Sequence, residues 1–189
     1  MTMRFSIKVL ATTALTIIAI ALATTPAAAQ LNSNTGVVTI NANLPEALTV
    51  NVTNTTITIP LTENTAANVQ TAPAGGSVIT TAWVLAGTRT TVKVFVYSAS
   101  PSPLTNGTDT IPATSIKISN TGIAGTYNAL AAGTPFGTGL QIGATTAITG
   151  ANRSSSRADT VFFEIDTTFN AQLSAGTYTG TLNVQAQAI

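Results

Sequence analysis

Apolar and polar residues alternate with a period of two along most of this chain. After residue 37, Val38, Ile40, Ala42 and Leu44 alternate with threonine and asparagine. The same alternation recurs in residues 48–52, 57–61, 78–85, 91–97, 161–165 and 177–188. Successive side chains of a β-strand point to opposite faces, so each stretch predicts a half-buried strand. Only residues 169–173 suggest a short helical turn.

These stretches, with weaker ones at 116–118 and 141–148, predict about eight to ten strands. Their spacing favours an all-β fold, a single antiparallel β-sandwich of Ig-like type, over residues 30–189. Pro60 cannot donate to a ladder, which places the third stretch at a sheet edge. Gly87-Thr88-Arg89 predicts a hairpin between residues 78–85 and 91–97. The expected core is Ile40, Leu48, Val50, Ile57, Ile59, Trp83, Val94, Val96, Val161, Phe163, Ile165, Leu182 and Val184.

The first 29 residues have the pattern of a secretory signal peptide. Arg4 and Lys8 form a positively charged start, an uncharged apolar run follows, and Ala27-Ala28-Ala29 provides small residues for cleavage. The run is too short to predict a stable membrane span. We therefore expect a bacterial protein that passes through the periplasm, begins at Gln30 and is secreted or held at the cell surface, without membrane association after signal removal.

Composition narrows the possible functions. The chain has no cysteine and no histidine, so disulfides, thiolate nucleophiles and histidine general bases are excluded. Charged residues are 7% of the chain, against about a quarter in typical domains, which argues against nucleic-acid binding. Threonine is the most frequent residue and suits an uncharged, exposed strand face. We predict no enzymatic activity, no catalytic residue, no cofactor and no metal.

The C-terminal stretch carries a distinct signature. Gly176 allows a tight entry to the last strand, Tyr178 would plug the end of the sandwich, and Leu182 and Val184 continue the apolar face. This pattern resembles the closing strand of bacterial pilin-like and spore-coat-protein-U-like sandwiches, and residues 38–61 resemble their opening strands. The resemblance implies a structural or adhesive subunit of a surface fibre, coat or matrix. It also implies self-association or related surface subunits as partners, with a periplasmic chaperone during assembly.

The mechanism that the resemblance implies is strand addition, in which an extended segment pairs with the sheet edge of a neighbour. The candidate assembly strand contains Val38, Ile40, Ala42 and Leu44 as its apolar row. The alternative is that this row is the first strand of the protein's own sheet, since a strand pattern does not specify which sheet it joins.

Two further features have a structural and a functional interpretation. Trp83 is either a core anchor or a sugar-stacking platform, so an extracellular carbohydrate-binding module is the alternative function. Glu164 and Asp166 share one strand face, either as a solvated face or as a carboxylate pair for glycoside cleavage or calcium. We favour the core anchor and the solvated face, with Arg153 and Arg157 as possible ion-pair partners of these acids.

Overall fold

The computed structural model describes residues 34–134 and 136–189. The predicted signal peptide, residues 1–29, and Gln30 lie outside the described residues. The chain divides into two units, Met1–Ala42 and Asn43–Ile189. In the described part of the chain, no helix is long and apolar enough to cross a membrane.

The second unit is an all-β sandwich, as the alternation predicts. Its only described helix is a short 3₁₀ turn at Ala113–Ser115. The strands in chain order are β1 (Ala47–Thr53), β2 (Asn68–Val69), β3 (Ser77–Val84), β4 (Thr91–Tyr97), β5 (Leu104–Thr105), β6 (Thr110–Ile111), β7 (Ile116–Ser119), β8 (Asn128–Ala129), β9 (Leu140–Ala147), β10 (Ser154–Ile165) and β11 (Asn183–Ala188).

Two antiparallel sheets form the layers. One has the order β1-β3-β10-β7-β8, with β2 also paired to β10, and the other has the order β11-β4-β9. The long β10 pairs with β3 over residues 154–161 and with β7 over residues 162–165. The small ladder β5-β6 stands apart from both sheets. The prediction of a β3–β4 hairpin is wrong, because the turn at 86–90 carries the chain from one sheet to the other.

Local strand predictions succeed where the pattern is longest. β1, β3, β4, β7 and β9 lie within a residue or two of the predicted stretches. Residues 57–61 do not form a strand, although Thr58 makes an isolated bridge to Ala72. β10 begins at Ser154, seven residues before the predicted stretch at 161–165, whereas β11 begins at Asn183, six residues after the start of the predicted stretch at 177–188. Residues 169–173 contain no helix.

The core lies between the two sheets. Six predicted core residues are buried, namely Trp83, Val94, Val96, Val161, Phe163 and Ile165. Six others pack partly buried against the core, namely Leu48, Val50, Ile57, Ile59, Leu182 and Val184. Ile40 is the exception, because it is 85% exposed and belongs to no core cluster. The period of two therefore predicts the buried face correctly within the sandwich and fails in the segment before it.

Candidate assembly site

The segment that precedes the sandwich is apolar and exposed. Residues 34–46 contain no strand or helix, so the prediction of a half-buried strand over residues 38–44 is wrong for this chain alone. Val38 is 84% exposed, Ile40 is 85% exposed and Leu44 is 80% exposed, and Ala42 is exposed as well. Exposed apolar rows of this kind are a liability unless they are covered by a partner.

An ion pair holds the chain where this segment meets the sandwich. The Glu46 carboxylate accepts hydrogen bonds from Arg89 Nε at 3.2 Å and Nη2 at 3.1 Å, and from the Ala86 amide at 2.7 Å. The hydrogen bond from Arg89 lowers the pKa of Glu46, with help from the Ala86 amide. This contact ties Glu46 to the turn after β3, next to the first residue of β1.

The last strand presents one regular edge. Ile189 and Thr91 exchange two backbone hydrogen bonds of 3.0 Å. Backbone groups alternate in direction along an antiparallel ladder, so those of Val184, Ala186 and Ala188 point away from β4. Among the described strands, none pairs with β11 on that side. The side chains of these three residues lie opposite buried Val96, Val94 and Val92 and face the core.

A surface groove of about 360 Å³ follows the C-terminal half of β11. Ala186 and Ala188 form part of its apolar lining, with Leu48, Leu85 and Phe136. Phe136 stacks edge-to-face on Phe95 of β4, with ring centroids 5.6 Å apart. Glu46 and Arg89 line the same groove. An unpaired backbone edge and an apolar groove therefore lie side by side.

The C-terminal signature residues hold the entry to β11. The Tyr178 hydroxyl donates to the Ser174 carbonyl at 2.9 Å, and its half-buried ring packs against the main core. Burial raises the pKa of Tyr178, and the nearby carboxylates of Asp109 and Glu63 add to this shift. A hydroxyl bound to backbone a few residues upstream is the tyrosine corner of β-sandwiches. Gly176 has a φ of +154° and approaches Asn106.

The remaining candidates have structural roles in the described chain. Trp83 is only 4% exposed and donates its indole N–H to the Asn152 carbonyl at 2.8 Å. It is a core anchor, as we favour above.

Glu164 near the end of β10 and Asp166 just after it differ from the predicted solvated face. Glu164 is buried, with 7% exposure, and lies 3.5 Å from Lys117 Nζ. Asp166 lies 3.0 Å from the same atom. The expected arginine partners are therefore wrong, because Lys117 of the adjacent β7 fills this place and Arg157 instead pairs with Asp159 at 2.8 Å. Burial opposes ionisation of Asp166, but hydrogen bonds from Thr168 and Lys117 outweigh it and lower the pKa.

No family model, curated protein or solved structure matches this chain. The described residues contain no group of three or more acidic residues placed to hold a metal ion. Two features of the described residues therefore remain as candidates, each considered by itself: the exposed apolar row of segment 38–44 and the unpaired edge of β11.

Sequence reasoning found Val38, Ile40, Ala42 and Leu44, but it missed the other half of the site. The sequence predicts Val184 as a core residue and as part of the closing signature, but not as part of a sheet edge. Ala186 and Ala188 lie on the same face as Val184. Their place at a sheet edge follows only from the pairing of β11 with β4 in the tertiary structure. Glu46 and Arg89 were also missed, because 43 residues separate them. An acid directly before the first strand of the sandwich was the one available signal.

Proposed function

We propose that this protein is a secreted structural or adhesive subunit of a surface fibre, coat or matrix, and that its N-terminal segment assembles it by strand addition. The observation that carries this proposal is the row Val38, Ile40 and Leu44, which is strand-patterned, uncharged and at least 80% exposed. A row that matches a strand in period and apolarity, but has no sheet of its own, is suited to the edge of another sheet.

The open edge of β11 supports the same proposal from the other side. Strand addition satisfies backbone donors and acceptors at an edge and buries apolar side chains beside it. Neither residues 35–44 nor β11 contains a charged residue, and the two charges that line the groove, Glu46 and Arg89, already pair with each other. Secretion is supported by residues 1–29, whose pattern is that of a cleaved signal peptide.

A pair of variants in the segment tests assembly. The full chain is expressed in a bacterial host, and the exported protein is purified and studied by sedimentation velocity and negative-stain electron microscopy. We expect linear polymers from the unchanged chain. Ile40→Asp should remain monomeric, because burial of an unpaired charge in an apolar groove costs several kcal/mol. Asn41→Asp adds the same charge to the other face of the strand and should still polymerise.

Circular dichroism of each variant shows whether the sandwich is folded. A wild-type protein that stays monomeric at high concentration would contradict the assembly function, as would equal polymerisation of Ile40→Asp and Asn41→Asp. Intact mass and N-terminal sequencing of the same material test export, since retention of Met1 would contradict the predicted cleavage before Gln30.

A further inference from the structure

The relative sizes of the side chains on the two rows select one pairing. The inference rests on the proposed function, because it assumes that the segment adds to β11. Along β11 the inward row is Val184, Ala186 and Ala188, and along the segment it is Val38, Ile40 and Ala42. An antiparallel register with Ala188 opposite Val38 places one alanine and one branched side chain in each of three successive pairs. Paired strands pack best when large and small side chains face each other.

Other registers fit less well. A shift by two residues puts Ala42 opposite Ala186, which leaves a gap, and Leu44 opposite Val184, which crowds the edge. The parallel register that sets Val38, Ile40 and Ala42 along the same three residues of β11 places Ala42 opposite Ala188, so two alanines face each other, and Val38 opposite Val184, so two valines do. The groove also agrees with the chosen register, because it lies beside Ala186 and Ala188, where Ile40 and Val38 would insert.

The polar face agrees as well. In the same register Thr39, Asn41 and Asn43 lie opposite Gln187, Gln185 and Asn183, which alternate with the inward row of β11. Amides directly opposite each other on an exposed face are able to hydrogen-bond across the strands. One register therefore satisfies the backbone, the apolar face and the polar face together.

Chain direction separates a neighbour from the protein's own segment. Glu46 and Ala47 line the same groove as Gln187 and Ala188, so β1 begins at the end of the sandwich where β11 finishes. A segment that turned back at Pro45 to lie on its own β11 would run parallel to it. A segment from a second copy has no such constraint and can run antiparallel, which is the slightly more stable pairing per residue.

We propose that β11 accepts the segment of a second copy in antiparallel register, with Val38, Ile40 and Ala42 opposite Ala188, Ala186 and Val184. Each copy then donates its own segment to one neighbour and accepts the segment of another neighbour along β11. Because the donor and acceptor surfaces differ, the contact is head-to-tail, and its repetition from copy to copy builds a filament.

Disulfide cross-linking tests this register, since the chain has no cysteine of its own. Two double variants report antiparallel pairing, Val38→Cys with Ala188→Cys and Ala42→Cys with Val184→Cys. The same four substitutions, paired the other way, give the matched controls for parallel pairing: Val38→Cys with Val184→Cys, and Ala42→Cys with Ala188→Cys. Opposite residues have Cα atoms about 5 Å apart, within the range a disulfide spans. In the antiparallel register the recombined positions are about 13 Å apart.

Mild oxidation followed by a non-reducing gel gives the result. We expect a ladder of covalent oligomers from both antiparallel pairs and none from the recombined pairs. A ladder from the recombined pairs, disulfides within single chains, or polymers without a ladder from either antiparallel pair would each overturn the register while leaving strand addition in place. Absence of polymers from the cysteine-free wild type overturns the proposed function itself, so the two failures are distinguishable.

Discussion

The two edges of the three-stranded sheet are built differently. β11 is regular over its six residues and carries no charge. β9, at the opposite edge, contains a bulge, because its register against β4 shifts between Val92 and Val94. Arg157 of β10 reaches this bulge and donates to the carbonyls of Ile142 and Ala144 and to the Thr146 hydroxyl. One edge is therefore bent and held by a charged side chain, whereas the other is straight and apolar.

The difference between the two edges matches the devices that keep a sheet edge from pairing. Bulges and inward-pointing charges are the usual means of keeping an edge from pairing with another chain. Gly143 is needed at the bulge, since its φ is +63° and an added Cβ would collide with the Asp159 carboxylate. β11 has none of these protections. We infer that β9 is protected against strand addition and that β11 is left available for it.

Proline in β11 tests the comparison with the largest expected effect. The N–H of Ala186 points away from β4, so Ala186→Pro should leave the ladder to β4 intact and block an incoming strand. We expect a folded monomer and complete loss of polymers, measured by circular dichroism and sedimentation velocity. Polymers from Ala186→Pro would show that β11 is not the accepting edge.

The neighbouring position provides the control. Gln185 lies opposite Phe95, and the alternation directs its N–H into the ladder. Gln185→Pro should therefore destabilise the sandwich by about 2–3 kcal/mol more than Ala186→Pro, through a lost and unsatisfied ladder bond. Equal melting temperatures for the two variants would contradict the assigned direction of the backbone groups.

A variant at the β9 edge should lose stability and keep polymerisation, the reverse of Ala186→Pro. Arg157→Met leaves the largely buried Asp159 carboxylate without its partner and removes donors from two carbonyls of the bulge. We expect a loss of about 3 kcal/mol from the free energy of unfolding in urea, with polymerisation of the folded fraction unchanged. Arg153→Met removes the same charge from an exposed position and should change stability by less than about 0.5 kcal/mol. Similar losses in both variants would remove the special role of Arg157.

The smallest effect concerns a charge away from both edges. The pKa of Asp166 is lowered in the fold, so its contribution to stability is present above the unfolded value and disappears as the pH falls through the folded value. Asp166→Asn should cost about 1 kcal/mol, or roughly 3 °C, at pH 7. This difference from wild type should shrink as the pH falls below the ordinary aspartate pKa of 3.8 and vanish below the lowered pKa of the folded state. Thermal melts from pH 7 to pH 2 give this comparison.

Polymerisation of Asp166→Asn at pH 7 should match that of wild type. Loss of polymers in this variant would mean that assembly depends on overall stability rather than on the edges. A melting difference that grows in acid would contradict the assigned direction of the pKa shift.

Local sequence was sufficient to predict the positions of most strands of the sandwich. β3 and β4 alternate over seven or eight residues, and both lie where the pattern predicts. Their pairing was not predictable, because a short Gly-containing turn permits both a hairpin and a crossing between sheets. Glu164 shows the same limitation. As a polar residue between apolar neighbours it is predicted to be exposed to solvent, but it is buried where β2 pairs with β10.

The sequence by itself determined the all-β class, the inward rows of most strands and the apolar row at residues 38–44. These follow from a period of two, which each strand carries in its own residues. Only the tertiary structure decided which strands lie at sheet edges, where Arg157 reaches and that Ile40 lies outside the core. Such properties depend on residues far apart in the chain, because a strand's pattern specifies which side chains are buried and not which backbone lies beside it.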